Sequence, residues 1–151
     1  MPPVVVREPE REVAAAEALE VLRVAHADEY RAELAELVAA IDEGELDDEQ
    51  QETLQGVLEL GLQAGRIRAV YGPQGEQAAL RLYRRLPRGA ELTESAAGIT
   101  EALRALVGRE LESISVAAVG PGAFSLSVTA DGIDLSIRLD RQGARLASVG
   151  V

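Results

Sequence analysis

Residues 114–118 read Ile114-Ser115-Val116-Ala117-Ala118, and two similar runs follow, Phe124-Ser125-Leu126-Ser127-Val128 and Ile133-Asp134-Leu135-Ser136-Ile137-Arg138-Leu139. Apolar and polar residues alternate in all three, which is the period of a strand with one buried face. Gly120-Pro121-Gly122 separates the first pair and Asp131-Gly132 the second. Asp-Gly between alternating runs is a strong hairpin signal, because both turn positions need a positive φ. Gln142-Gly143 marks a third turn, ahead of a less regular run from Arg145 to Val151. Connections this short join antiparallel neighbours. The last 40 or so residues are therefore predicted to form a four-stranded antiparallel meander, with one aliphatic face and one of Ser, Thr, Asp and Arg.

Before residue 111 the period is that of a helix. Over residues 12–42, Val13, Leu19, Leu22, Leu34, Leu37, Val38 and Ile41 recur at spacings of three and four. One unbroken helix there would be about 46 Å long at about 1.5 Å per residue. A break near Ala27-Asp28, with Asp28 as cap, is the alternative, and the spacing leaves both open. Gly44 suits a left-handed helix end, and Asp48 with Gln51 resembles a capping box. The helix after it is expected to carry Leu54, Val57, Leu58, Leu62 and Ile67, with Gly56, Gly61 and Gly65 inside it. Gly72-Pro73-Gln74-Gly75 reads as a helix–helix turn, followed by a short helix from Glu76 to Leu86 that Pro87 ends. A last helix, capped by Thr93 and running to Val107, presents Ile99, Leu103 and Leu106 and is the natural cover for the aliphatic sheet face. The predicted class is α+β: an N-terminal antiparallel helical section over residues 1–90, then a helix packed on a four-stranded antiparallel β-meander over 91–151. One continuous domain is the alternative to that division.

Composition removes several kinds of chemistry. The chain of 151 residues has no cysteine, and its 15 basic residues are all arginine. Disulfides, thiolate metal sites, cysteine nucleophiles and Schiff-base lysines are thereby excluded. His26 is the single histidine, so a three-histidine zinc site is impossible too. No apolar stretch approaches the ~18 residues of a membrane span, and Met1 to Val6 runs into Arg7 and Glu8 without the pattern of a secretory leader, so a cytoplasmic location is expected. The net charge of −11 is uneven: residues 1–65 hold 17 acids and 4 arginines, whereas residues 66–92 hold 2 acids and 6 arginines. So acidic a chain is a poor match for phosphate polyanions, which bind by having their charge neutralised.

The candidate constellations are few. Gly72-Pro73-Gln74-Gly75 has the spacing of the GxxG loop of KH modules, but its central pair is Pro-Gln and no strands flank it. The carboxylates between Asp42 and Glu49 fail the calcium-loop pattern, since counting from Asp42 puts Asp47 where glycine is required. His26 lacks a second histidine and reads as a surface residue. The arginines at 81, 84, 85 and 88 are the basic feature most suited to a contact, either with a partner or with the acidic helices of the same chain. We therefore expect a non-catalytic interaction protein or accessory subunit that self-associates through its helices or docks on another protein. Leu19, Leu22, Leu34, Leu37, Arg81, Arg84, Arg85 and Arg88 are its candidate contact residues. No catalytic residue, cofactor or metal ligand is assigned. The competing expectation is a small-ligand binder or small enzyme using Asp or Glu, Arg and Tyr between helices and sheet.

Overall fold

The structure, a computed structural model, describes residues 2–151. Two compact units result, Met1–Ala90 and Glu91–Val151. Among the described residues there are five helices, four of them early in the chain, and the last four strands form one antiparallel sheet, so the class is α+β.

In the first unit, α1 (Glu10–Val24) and α2 (Asp28–Glu43) are two helices, with the break at residues 25–27. Asp28 is the first residue of α2 and Ala27 holds the cap position without a side-chain bond, so Asp28 supplies first-turn charge instead. The last carbonyls of α1 are satisfied from outside the helix: Arg31 Nη1 donates to Leu22 O at 2.7 Å and to Ala25 O at 2.8 Å. Gly44 ends α2 at φ 91°. The capping box of α3 (Asp48–Gln63) lies one residue earlier than the sequence reading, with Asp47 and Gln50 exchanging bonds of 2.9 and 3.0 Å. Gln51 is buried instead, and its amide donates to Leu46 O and Pro2 O.

Gly65 does not lie inside a helix. It sits at φ 71° between α3 and α4 (Arg66–Tyr83), so Ile67 belongs to α4. Only a residue without Cβ enters that region cheaply, and it lets the chain reverse over two residues. Gly72, at φ 74°, breaks the helical path ahead of Pro73, so α4 is two helices that meet at a kink there, as the Gly-Pro turn of the sequence implies. Pro87 opens α5 (Pro87–Arg104), six residues before the expected Thr93 start, because proline lacks only an N–H that the first turn leaves unpaired.

The unit's core comprises Val13, Ala14 and Ala18 of α1, Leu34, Leu37, Ala40 and Ile41 of α2, Leu54, Val57 and Leu58 of α3, and Ile67, Ala78, Ala79 and Leu82 of α4, together with Val6, Leu46 and Leu86. A short pairing that the sequence reading missed closes it: β1 (Val4–Val5) lies antiparallel to β2 (Glu45–Leu46). Val6 N donates to Gly44 O at 2.8 Å, and Arg85 Nη1 donates to Val5 O at 2.8 Å, so this N-terminal strap is held from both sides.

In the second unit β3 (Leu111–Gly120), β4 (Ala123–Ala130), β5 (Ile133–Asp140) and β6 (Gly143–Gly150) follow one another in sheet order, all antiparallel. The β4–β5 turn has Asp131 at φ 47° and Gly132 at φ 78°, the two positive angles that an Asp-Gly hairpin supplies. Register places Val116, Leu126, Ile137 and Leu146 side by side, and likewise Ile114, Val128, Leu135 and Val149. One face is therefore aliphatic throughout. On the other, Ser125 and Ser136 hydroxyls lie 3.2 Å apart and Thr129 donates to Asp134 at 2.6 Å. Ser95 of α5 donates to Ala144 O of β6, and a Cβ at Gly143 would collide with the Leu92 side chain, so the helix runs close to the start of β6.

Candidate interaction surface

The arginine-rich segment is largely consumed inside the helical unit. Arg85 pairs with Glu10, toward which Arg81 also points at 3.9 Å, and Arg88 pairs with Glu59 at 2.9 Å. Arg68 pairs with Glu76 at 3.0 Å. Of the four arginines singled out from sequence, only Arg84 makes no ion pair among the described residues. The acids of the early helices thus neutralise the positive segment, and little free charge is left for a polyanion.

The leucines divide. Leu34 and Leu37 have no exposed surface and belong to the core, so neither can touch a partner while the unit is folded. That corrects the reading of an α2 stripe facing outward. The stripe faces the core, because α2 needs its one apolar side to pack against α1 and α3. Leu22 is half-buried against the same core, and Leu19 is 50 % exposed.

Two carboxylates that the sequence reading did not single out organise this unit. Glu17 of α1 is only 2 % exposed; its Oε1 accepts from Arg66 Nη2 at 2.7 Å and from Tyr71 Oη at 2.9 Å, and its Oε2 accepts from Arg66 Nε at 3.4 Å. A Cβ on Gly61 would lie 2.7 Å from Glu17 Oε2, so glycine there makes room for the carboxylate. Glu59 of α3 repeats the arrangement, accepting from Tyr83 Oη at 2.8 Å and from Arg88 Nη1. Every oxygen in these clusters already accepts a donor, so they fasten helices together and offer no free acid or base. Desolvation, then the bond to the carboxylate, pushes each phenol up to about 12, which keeps both tyrosines as neutral donors.

A pH dependence follows from those phenols. Below about pH 10, the usual tyrosine value, folded and unfolded chains both hold the two protons, and the stabilisation is whole. Between there and about 12 the unfolded chain releases them first, so it binds fewer protons and stability falls as pH rises. Urea midpoints are expected to decline over this interval in the native chain, and to decline less in Tyr71→Phe and Tyr83→Phe. An unchanged slope in both variants would contradict the assignment.

His26 is exposed, and among the described residues no group of three His, Asp or Glu is placed to hold a metal. An open cleft of 770 Å³ lies between the start of α1 and the middle of α4, lined by Val13, Tyr71, Pro73, Ala78 and Arg81 among others. Two of its polar groups are committed, Tyr71 to Glu17 and Arg81 toward Glu10.

The aliphatic sheet face is a different case. Val128, Ala130, Leu135 and Ile137, all on the two central strands, are buried. Its flanks are open: Ile114 and Val116 on β3, Phe124 on β4, Leu139 on β5, and Leu146 and Val149 on β6 are exposed, Val116 by 63 %. Every residue of β3 is exposed. Strand periodicity in the sequence locates this face, which the sequence alone pairs with the last helix as its cover. No helix among the described residues is long and apolar enough to cross a membrane. In comparisons with protein-family models, curated proteins and solved structures, nothing matches this chain.

Proposed function

We propose that the chain is a non-catalytic protein-binding module whose contact surface is the open part of its aliphatic sheet face. One observation carries the reading: six large apolar side chains on a single face, Ile114, Val116, Phe124, Leu139, Leu146 and Val149, stand in solvent. Scattered exposed leucines are ordinary, whereas apolar side chains gathered on one sheet face mark a contact surface. The helical unit supports the same reading from the other side, because Glu17 and Glu59 spend their bonding on Arg66, Tyr71, Tyr83 and Arg88.

The triple variant Ile114→Ser, Phe124→Ser, Leu146→Ser tests it, since all three side chains are exposed and the fold should survive. Two baits, native and variant, are compared for self-association and for proteins retained from a lysate of the source cells. The expected result is association or a retained protein that the variant loses. Identical behaviour of the two baits would overturn the proposal. Ligand binding in the 770 Å³ cleft is the second reading, favoured by its volume, which falls in the range of small-molecule sites. It predicts that ligand-induced thermal stabilisation disappears on Gln77→Trp, at an exposed position lining the cleft, and persists in the sheet variant.

A further inference from the structure

The edge of this sheet is unusually unguarded. Edge strands are normally protected by charges, proline, bulges or shortness, since their free N–H and C=O groups invite another strand. β6 has Arg145 and a register shift near its middle. β3 has ten residues, and from Ser113 to Gly120 it carries no charge and no proline. Its irregularities are confined to the two ends, between Leu111 and Ser113 and between Ala118 and Gly120, which leaves the middle regular.

We propose that the occupant of this edge is a second copy of the chain, paired β3 to β3 in antiparallel fashion about a two-fold axis perpendicular to the sheet at Val116. The inference rests on the protein-binding reading above and specifies the partner. Residues directly opposite in antiparallel strands share a face. With the axis at Val116, Val116 meets its own copy, Ile114 meets Ala118, and Ser115 meets Ala117, so aliphatic opposes aliphatic and small opposes small. A shift by one residue would set Ile114 against Ala117 and mismatch the faces. The sheet thereby becomes eight-stranded, with both open aliphatic flanks brought together on one side.

Charge argues for a second copy and against a register centred on Ser115. Glu112 falls opposite Gly120 of the other copy, beside the turn where Arg141 approaches Gly122, its Nε 3.8 Å from the position a Cβ would take there. Among the described residues neither Glu112 nor Arg141 makes an ion pair, although Arg138 and Arg145 nearby both pair with Asp140. A two-fold supplies each unpaired acid with the other copy's unpaired arginine, twice. The alternative register at Ser115 moves Glu112 two residues away from that corner.

The full chain is measured by sedimentation equilibrium. Strand pairing alone buries less than the roughly 1,200 Å² of a stable complex, so a concentration-dependent monomer–dimer equilibrium is expected. Val116→Lys, at an exposed position, should abolish dimers while leaving the circular dichroism unchanged. Because the chain has no cysteine, Val116→Cys gives a clean cross-linking probe: the two copies' thiols would face each other, within disulfide reach. Ile114→Cys would place them about 13 Å apart along the strands, and it should cross-link at least about tenfold more slowly. Glu112→Arg should weaken the dimer several-fold and Arg141→Glu added to it should restore it. A native chain that stays monomeric up to about 1 mM overturns the inference, as does a dimer that Val116→Lys leaves intact. In either case, a partner lost on the triple sheet variant would preserve the protein-binding reading, and its absence would remove both.

Discussion

Arg66→Ala is expected to lower the unfolding free energy by about 3–5 kcal/mol. The effect is lodged on the partner and not on the arginine. Arg66 is 37 % exposed and gives up little by its removal, but Glu17 is 2 % exposed and would be left with only the Tyr71 hydroxyl to bond. Replacing both partners should behave differently. Glu17→Met with Arg66→Met removes the buried charge along with its counter-charge, and such exchanges are often neutral or stabilising. Urea unfolding of the native chain, Glu17→Met, Arg66→Met and the double variant closes a thermodynamic cycle. The cluster would not be the fastener of α1 to α4 if Arg66→Ala cost less than about 1 kcal/mol, the level of an exposed pair.

Leu37→Ala is expected to cost about 3 kcal/mol, within the usual range for emptying a fully buried leucine site. Leu37 has no exposed surface, and its neighbours in the core come from four helices, which limits how far the cavity can collapse. Leu19→Ala, at a half-exposed position, should stay within about 0.5 kcal/mol. If Leu37 acted at a subunit contact, the loss would depend on protein concentration through mass action. A core residue gives the same loss at two concentrations a hundredfold apart, and that invariance is the expected result.

The sheet was the most legible part of the chain, because a period of two combined with Asp131-Gly132 and Gly120-Pro121-Gly122 leaves little freedom for strand order. The helical section was legible in its stripes and less so at its joints. Gly65 reads in sequence as a weak point inside a helix and is the turn itself. A glycine among helix formers has the same local composition in either role, and only the packing of Ile67 into the core decides between them. Pro87 shows the same ambiguity, since proline ends one helix and opens the next with equal ease. Leu34 and Leu37 suit a partner contact by sequence and lie in the core, because a stripe discloses that a helix buries one side, not what it buries it against. Glu17 had a signal that went unused: it lies four residues from both Val13 and Val21, on the apolar stripe. An acid at that position calls for a cation, but Arg66 and Tyr71 are 49 and 54 residues away, and no local pattern reaches so far.

The N-terminal strap has a consequence for the order of events during synthesis. Val4 and Val5 are made before their partners: the edge they pair with, Glu45–Leu46, is about 40 residues behind, and the Arg85 that grips Val5 O is 80 residues away in sequence. At roughly 5–20 residues per second, translation leaves the strap without a partner for seconds after it emerges. Closing it must then await the helices that carry its anchors. A segment made before its anchors is therefore among the last parts of this unit to dock, and it seals a core already assembled beneath it.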